Sequence, residues 1–462
     1  MKPEQSATVS RLIAAFAVAF RERPLSPAQR HVAYRALLDT VAVAIAGRGE
    51  QAPRFLRDYL SEMTGSGRAT AWTTGERLPA EAAALLNGTA AHMLDYDDML
   101  PPMVGHPSVV LVPPLAALAE MTGADGRRFA QAYVAGFEVL AKISAVMALP
   151  HVVKGWHSTA SIGTLGAAVA ASVLLGLDEV QTMHALGLAI AQTAGNRQNF
   201  GTMAKSFQVG QAGSVALRAA LLAQRGFDAP RDALEGKYGY MALYAANEDL
   251  TAALDTLGRG PLDFDAIGID VKKYPCCYAL HKPLDGVLGL RAAHGLGPDD
   301  VERVEIVTQK RGLQPLVYTD PKSGLEAKFS MEYCVAAALL DGRIRLSSFD
   351  ADQVTRPQVR ALYPRIAKRE VDGDMLPRWA EVTLHLKGGA QLRRRVDTSR
   401  GDAQDPLTDA ELVEKAEDCF AFGGLDLPAS AFAAEVFALA DQRVADVLGA
   451  LRAPESRGEV VR

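Results

Sequence analysis

The sequence predicts a mainly helical protein with a smaller α+β domain inserted into a discontinuous helical domain. Apolar residues recur with helical spacing up to about residue 260, alternating β-branched patterns follow, and helical spacing returns near the C-terminus. A chain of 462 residues is too long for one ordinary core. We therefore expect an all-helical domain of residues 1–265 and 405–462 and an α+β lid domain of residues 266–404. Such insertions are tolerated because domain termini often lie close together.

The helical domain is predicted element by element from apolar residues three and four positions apart, between breaks that carry Gly, Pro or Asn-Gly. Its expected helices span residues 7–20, 27–47, 51–63, 79–94, 108–122, 127–148, 158–176, 178–194, 209–226, 230–236 and 248–257. Two further helical patterns, "TDAELVEKAEDCF" and "AFAAEVFALADQRVADVLGALR", follow the linker "DTSRGDAQDP".

The lid is predicted from alternating apolar and polar residues, which are typical of half-buried strands. "VERVEIVTQ" (301–309) has this pattern, as does "WAEVTLHLKGGAQLRRRVD" (379–397), in which Gly388-Gly389 forms the hairpin turn. "FDAIGIDVKKYP" is also β-like. Helices are expected between them at about 282–294, 328–341 and 351–360.

The composition excludes several classes of protein. Lysine and arginine total 49 against 54 acidic residues, well mixed, so a nucleic-acid-binding surface is not expected. "STASIGTLGAAVAASVLLGL" (158–177) is long and uncharged but rich in Ala, Gly, Ser and Thr, which indicates a helix buried in protein rather than a membrane span. The first helix is amphipathic rather than a signal peptide. Four cysteines without a C-x2-C pair favour a reducing, cytoplasmic setting.

The stretch "LDYDDMLPPMVGHPS" (94–108) is the first candidate site. A carboxylate beside an imidazole raises the imidazole pKa and fixes its tautomer. Asp95 could orient a histidine in this way, and His106 lies between a glycine and a proline. The alternative is a solvated acidic turn in which an aspartate caps the backbone.

Further candidates lie at three helix starts and a predicted domain boundary. In "KGWHSTASIGTLG", His157 precedes a helix N-terminus, which suits an anion; the alternative is a surface cap residue. Lys205 in "NRQNFGTMAKSFQVGQAG" precedes a Gly/Ala-rich helix, or is simply exposed. Lys272 lies in "VKKYPCCYALHKP", and Tyr318 in "VYTDP" is a proton donor or a packing residue. Signatures for nucleotide binding, HExxH zinc sites and GxSxG nucleophiles are absent, so side chains or an unannounced metal must supply the chemistry.

Five strings in this order, "DYDD…GHPS", "GWHSTASIGTLGAA", "AKSFQVGQAG", "KKYPCC" and "AKFSMEYCVAAALLDG", resemble the MmgE/PrpD family over about residues 8–450. That family includes 2-methylcitrate dehydratases, cis-aconitate decarboxylases and an iminodisuccinate epimerase. The resemblance implies a large all-α domain with an α+β lid, a homodimer, and catalysis without a cofactor or metal.

The resemblance also implies a set of site residues. Matching the family strings gives Asp95, His106, His157 and Tyr318 as catalytic residues, and Lys205 and Lys272 as substrate-binding residues. Two substrate-binding positions depart from the family pattern: Met99 stands where many members have Thr, and Cys277 where the decarboxylases have His.

Together these features predict a lyase that removes a proton next to a carboxylate of a di- or tricarboxylate and then eliminates water, as a 2-methylcitrate dehydratase does. Cationic side chains lower the barrier by meeting the charge that develops on the substrate. His106 is the preferred proton-transfer residue, while His157 and Tyr318 remain alternatives for the acid. An epimerase of an amino- or imino-dicarboxylate, a decarboxylase and a non-catalytic family member remain open.

Overall fold

The computed structural model describes residues 8–244 and 248–452, and its contacts divide the chain into two units. The first unit contains the described residues up to Met93, then Asp97–Ile269 and the residues from Gly423 onward. The second contains Leu94–Tyr96 and Asp270–Phe422. The predicted fold class, mainly helical with an α+β region, is confirmed.

The first unit is helical apart from one small two-stranded sheet, Ala69–Thr70 paired with Arg77–Leu78. Its α-helices are Val9–Phe20, Pro27–Gly47, Gln51–Met63, Ala80–Ala91, Ser108–Thr122, Gly126–Lys154, Ser158–Ser161, Gly163–Leu175, Glu179–Ile190, Met203–Gln224, Tyr240–Tyr244, Thr251–Asp255, Asp263–Ala266, Ala429–Phe437 and Val444–Leu448. Short 3-10 turns occupy Pro101–Met103, Arg197–Asn199, Leu439–Asp441 and Gly449–Leu451.

Small residues at the centre of this unit let helices approach closely. A Cβ atom on Gly166 would lie 2.8 Å from the carbonyl oxygen of Gly136, and one on Gly210 would lie 2.3 Å from that of Leu85. The helix Gly163–Leu175 is buried on all sides except at its C-terminal residue. The prediction that 158–177 packs inside protein is therefore confirmed.

Two described helices, Gly126–Lys154 and Ser158–Leu175, are long and apolar enough to cross a membrane by length and composition alone. In the folded chain, 78% and 94% of their apolar windows are buried inside the protein. Core helices have this property too.

The second unit is built on a four-stranded sheet. Val301–Thr308 pairs in parallel with Ile366–Glu370 on one side and antiparallel with Ala380–Leu386 on the other, and Gln391–Val396 completes the sheet. Its α-helices are His281–His294, Gly324–Ala327, Met331–Asp341, Ala351–Val354, Pro357–Arg360 and Asp409–Gly423, with 3-10 turns at Tyr278–Leu280, Leu346–Phe349 and Tyr363–Arg365.

The units differ from the predicted domains at three places, one of which is Leu94–Tyr96, predicted in the helical domain but found in the second unit. The predicted first boundary, 265/266, lies near the observed one after Ile269, but residues 405–422 belong to the second unit instead of the helical domain. The Lys415 ammonium donates to the carbonyl of Tyr96 at 2.9 Å, and Asp418 accepts from the backbone of Leu346. These bonds explain the reassignment. The outermost parts of the predicted helical domain, residues 1–7 and 453–462, lie outside the described residues.

Two predicted elements are wrong, and one strand was missed. Residues 230–236 form turns instead of a helix. No strand forms among residues 262–275; a short helix, Asp263–Ala266, stands there, and the backbone N–H groups of Asp263 and Phe264 donate to the Glu138 carboxylate. The strand Ile366–Glu370 was not predicted at all.

Candidate active site

The loop after the helix Ala80–Ala91 is folded so tightly that two residues adopt left-handed backbone angles. Asp95 has φ of 54° and Val104 has φ of 49°. Aspartate tolerates this region, but a β-branched residue seldom adopts it. Such strain persists only where surrounding contacts over-determine the backbone, and it clusters at functional sites.

The two histidine strings found in the sequence are tied together within the first unit. The backbone N–H of His106 donates to Thr159 Oγ1 at 3.1 Å, and Ser158 Oγ donates to the carbonyl of Val104 at 3.0 Å. A Cβ atom on Gly105 would lie 2.8 Å from Thr159 Oγ1, so glycine is required for this approach. The loop carrying His106 is therefore anchored at the helix start beside His157.

Three imidazoles cluster there. The ring centroid of His92 lies 4.8 Å from that of His106 and 5.7 Å from that of His157. All three histidines are buried. His92 ends the helix Ala80–Ala91, and its carbonyl accepts from Ser206 Oγ at 3.2 Å.

Asp97 is the carboxylate at the centre of this cluster. Its Oδ2 lies 2.8 Å from Nδ1 of His92 and 3.2 Å from Nδ1 of His106, and its side chain is 1% exposed. The neighbouring imidazoles hold the pKa of Asp97 well below its usual range despite burial. The sequence predicted Asp95 as the carboxylate behind the histidine. The structure gives that contact to Asp97, two residues later.

The tautomer of His106 follows from its partners. Nδ1 faces two acceptors, Asp97 Oδ2 and the carbonyl oxygen of Asp98, the latter at 2.8 Å. Nδ1 must therefore carry the proton, and in the neutral ring Nε2 holds the lone pair. Among the described residues nothing hydrogen-bonds to that Nε2. His106 is thus arranged as a base.

His157 has the opposite tautomer. Its Nδ1 lies 2.6 Å from the side-chain nitrogen of Gln208, which is a donor, so Nδ1 accepts and Nε2 carries the proton. Burial, and after it the electrostatic effect of His92, Lys205 and His106, lowers the pKa of His157 well below its usual range, which keeps the ring neutral. Burial likewise lowers the pKa of His92 to about 4.

Lys205 supplies positive charge to this cluster. It lies in the first turn of the helix Met203–Gln224, is 9% exposed, and lowers the pKa of both His92 and His157 electrostatically. Its ammonium also lies 5.5 Å from the ring centroid of Phe200. Met99, the remaining predicted residue of this unit, is buried.

The other predicted residues lie in the second unit. Lys272 is fully buried, and its ammonium donates to the Asp95 carbonyl at 2.7 Å and pairs with Asp95 Oδ2 at 3.1 Å. Cys277 is 9% exposed, and burial raises the pKa of its thiol to about 11, so it stays protonated near neutral pH. Tyr318 is half-buried, and its backbone N–H donates to Phe329.

A metal ion is geometrically conceivable at His92, Asp97 and His106, whose potential ligand atoms all lie within 4.8 Å of one another. The Nδ1 of His106 already donates to the Asp98 carbonyl, so this ring could bind a metal only through Nε2. The Asp97 carboxylate lies between the Nδ1 atoms of His92 and His106 in this arrangement.

Comparison with known families shows the family to which the chain belongs. Residues 11–253 match the MmgE/PrpD N-terminal domain, and residues 274–425 match the MmgE/PrpD C-terminal domain. The chain belongs to the MmgE/PrpD family.

Two curated MmgE/PrpD relatives show how far the similarity extends. Cis-aconitate decarboxylase of Homo sapiens is 30% identical over 395 residues, which cover 82% of this chain and 81% of that protein. Cis-aconitate decarboxylase of Aspergillus terreus is 24% identical over 416 residues, 82% of each chain. MmgE/PrpD membership and these relatives support an enzyme of the lyase type that acts on a polycarboxylate.

Proposed function

We propose that this chain is a cofactor-independent hydro-lyase that removes water from a hydroxylated tricarboxylate of the 2-methylcitrate kind. The observation that carries the proposal is that His106 and His157 are held in opposite tautomers within one buried cluster. Elimination of water needs a group that takes a proton from carbon and a donor at the departing hydroxyl, and this pair supplies an Nε2 lone pair on His106 and an Nε2–H on His157.

The proposed reaction starts at His106. Its Nε2 takes the proton from the carbon next to a substrate carboxylate, and Asp97 stabilises the imidazolium that forms. The electron pair left on carbon forms the double bond as the β-hydroxyl departs. The Nε2–H of His157 hydrogen-bonds to the oxygen of that hydroxyl, and the proton that His106 took up is returned to it, so that it leaves as water and both imidazoles end neutral. Lys205 faces the negative charge that accumulates on the carboxylate.

Decarboxylation is the second candidate, favoured by the names of the curated relatives. The same base and cation would serve a substrate that releases carbon dioxide. Against it stands Cys277, whose thiol holds its proton up to a pKa of about 11 and is therefore a weak proton donor.

The test is to incubate the protein separately with 2-methylcitrate, citrate and cis-aconitate in deuterated water, following products by NMR and carbon dioxide by trapping. The proposal expects an alkene from a hydroxylated acid, without gas. Carbon dioxide from cis-aconitate would support the decarboxylase instead. Deuterium exchange with neither product would indicate an epimerase, and no turnover at all a non-catalytic member.

Two variants separate chemistry from binding. His106→Gln should lower turnover by ~10²–10⁴-fold with little change in substrate binding. Lys205→Ala should mainly weaken binding of the tricarboxylate. Turnover of His106→Gln near the wild-type rate would show that the base is misassigned.

A further inference from the structure

The amide of Gln208 makes four hydrogen bonds that leave its orientation no freedom. Oε1 accepts from the backbone N–H of Asn196 at 3.2 Å and from Asn199 Nδ2 at 3.1 Å. Nε2 donates to the Asn196 carbonyl at 3.2 Å and to Nδ1 of His157 at 2.6 Å. A flipped amide would place its NH2 group against two donors, so the network assigns the orientation.

The segment that holds this amide is itself fixed. The backbone of Trp156 bridges that of Asn196, and the N–H of Arg197 donates to the Gly155 carbonyl at 2.8 Å. The N–H of His157 donates to the Gly195 carbonyl at 3.2 Å. The residues before His157 and those that orient Gln208 therefore form one unit of backbone hydrogen bonds.

We propose that Gln208 is a positioning residue that confines the proton of His157 to Nε2 and so makes this histidine the hydrogen-bond donor to the departing hydroxyl. An amide NH2 can only donate, so Nδ1 can only accept. The inference rests on the proposed function for the role of His157, but the tautomer itself is measurable without turnover.

Replacement of Gln208 by glutamate changes the group that faces Nδ1 of His157 from a hydrogen-bond donor to an acceptor. One carboxylate oxygen still accepts from Asn196 and Asn199, whereas the other faces Nδ1 as an acceptor and draws a proton there. The titratable groups that face His157 are His92, His106, Lys205 and Asp97, and all of them remain in the variant.

The sign of the pH effect follows from that change. The new carboxylate favours the imidazolium, so it raises the pKa of His157. Below that pKa both ring nitrogens carry protons, and the donor survives. Above it the neutral ring keeps its proton at Nδ1, and the donor at Nε2 is lost. Gln208→Glu should therefore lose turnover as the pH rises, by ~10²-fold or more at the alkaline end, with KM changed far less than kcat.

The experiment uses the full chain labelled with ¹⁵N-histidine, and proton–nitrogen NMR reports which ring nitrogen is protonated. His157→Asn assigns the signals, and Gln211→Glu is the matched control, because it adds the same charge one turn along the same helix and lines the same cavity as Gln208.

The expected result is an unprotonated Nδ1 of His157 in the wild type and in Gln211→Glu, and a protonated Nδ1 in Gln208→Glu. A protonated Nδ1 in the wild type overturns the proposal even if the glutamate variant does not fold. So does a folded Gln208→Glu that keeps the wild-type tautomer and pH profile. If the tautomers are as expected but His106→Gln keeps full turnover, the proposed reaction fails and the assignment of Gln208 stands.

Discussion

Replacing Asp97 by asparagine should slow turnover by ~10³-fold while leaving the fold intact. When His106 takes a proton, its ring becomes cationic beside the Asp97 carboxylate, whose Oδ2 lies 3.2 Å from Nδ1. A pair of unit charges about 4 Å apart gains about 4 kcal/mol at an effective dielectric constant of about 20. Loss of that amount from the transition state corresponds to ~10³-fold in rate.

The neighbouring aspartate offers a matched control. Asp98 is as buried as Asp97, but burial and the nearby carboxylates of Asp39 and Asp97 raise its pKa to about 8, so it is largely protonated near neutral pH. It bonds to Ser108, which in turn bonds to Tyr133. Asparagine imitates the protonated aspartate. Its side-chain oxygen can accept from the Ser108 N–H, and its NH2 group can donate to the Ser108 hydroxyl. Asp98→Asn should therefore lose less than about tenfold in turnover at pH 7, since the charge near His106 is unchanged.

The assay is kcat on the best substrate of the product screen, measured for both variants at pH 7 together with their thermal unfolding midpoints. The reasoning requires a large loss for Asp97→Asn and a small one for Asp98→Asn. Equal losses from the two, or full turnover in a folded Asp97→Asn, would refute the assignment of Asp97 as the carboxylate behind the base.

Three further predictions concern stability. Gly210→Ala should destabilise the fold by ~1–3 kcal/mol in urea titration, because the new methyl would meet backbone, whereas Gly49→Ala, with no neighbour within 4 Å, should not. Lys272→Met should cost ~3–5 kcal/mol by removing the buried ammonium that pairs with the Asp95 carboxylate, and adding Asp95→Asn should restore much of that loss; additive losses would contradict the pairing. Because the pKa of Asp98 is raised to about 8 from an ordinary value near ~4, the stabilisation by its protonated form is complete below pH ~4 and is lost as the pH rises through about 8. Relative to Asp98→Asn, the wild-type unfolding midpoint should therefore fall over that range; parallel curves would contradict the shift.

Much of the helical fold could be predicted from the sequence because local signals, such as helix caps and apolar periodicity, agree with the way the helices pack. The helix Pro27–Gly47 was predicted to the residue, since Ser26 and Gln29 form a capping box and proline occupies its first position. The helix Met203–Gln224 begins six residues earlier than predicted. Its N-cap residue, Thr202, makes no side-chain cap bond, and the adjacent Gly201 is a residue type typical of loops, so the sequence gives no clear signal for the helix start.

Errors occurred where distant contacts decide the structure. The helix Asp263–Ala266 starts with N–H groups bound by Glu138, which lies in another helix. The strand Ile366–Glu370 is short and charged, and its parallel partner is Val301–Thr308. Neither the contact with Glu138 nor the pairing with Val301–Thr308 can be recognised from the residues next to it in the sequence.

In the candidate site, too, some residues could be predicted from local sequence signals and others depend on distant contacts. His106, His157 and Lys205 stand in strings that attract attention by themselves, and the structure brings all three into one unit. Asp97 was passed over for Asp95 because three aspartates share one short loop and only the backbone turn decides which one faces the imidazoles. Gln208 lies 51 residues from His157, and one amide on a helix has no signature of its own.

The contact between Gly88 and Gly210 has a consequence for substrate choice. A Cβ atom on Gly88 would lie 2.9 Å from the Cα atom of Gly210, and one turn further along these two helices stand His92 and Ser206, next to Lys205. The spacing between an imidazole and an ammonium is thus set by two residues that have no side chains. Bulk added at either glycine would move the His92 imidazole and the Lys205 ammonium apart without altering either group, which offers a route to longer acids that preserves every reactive group.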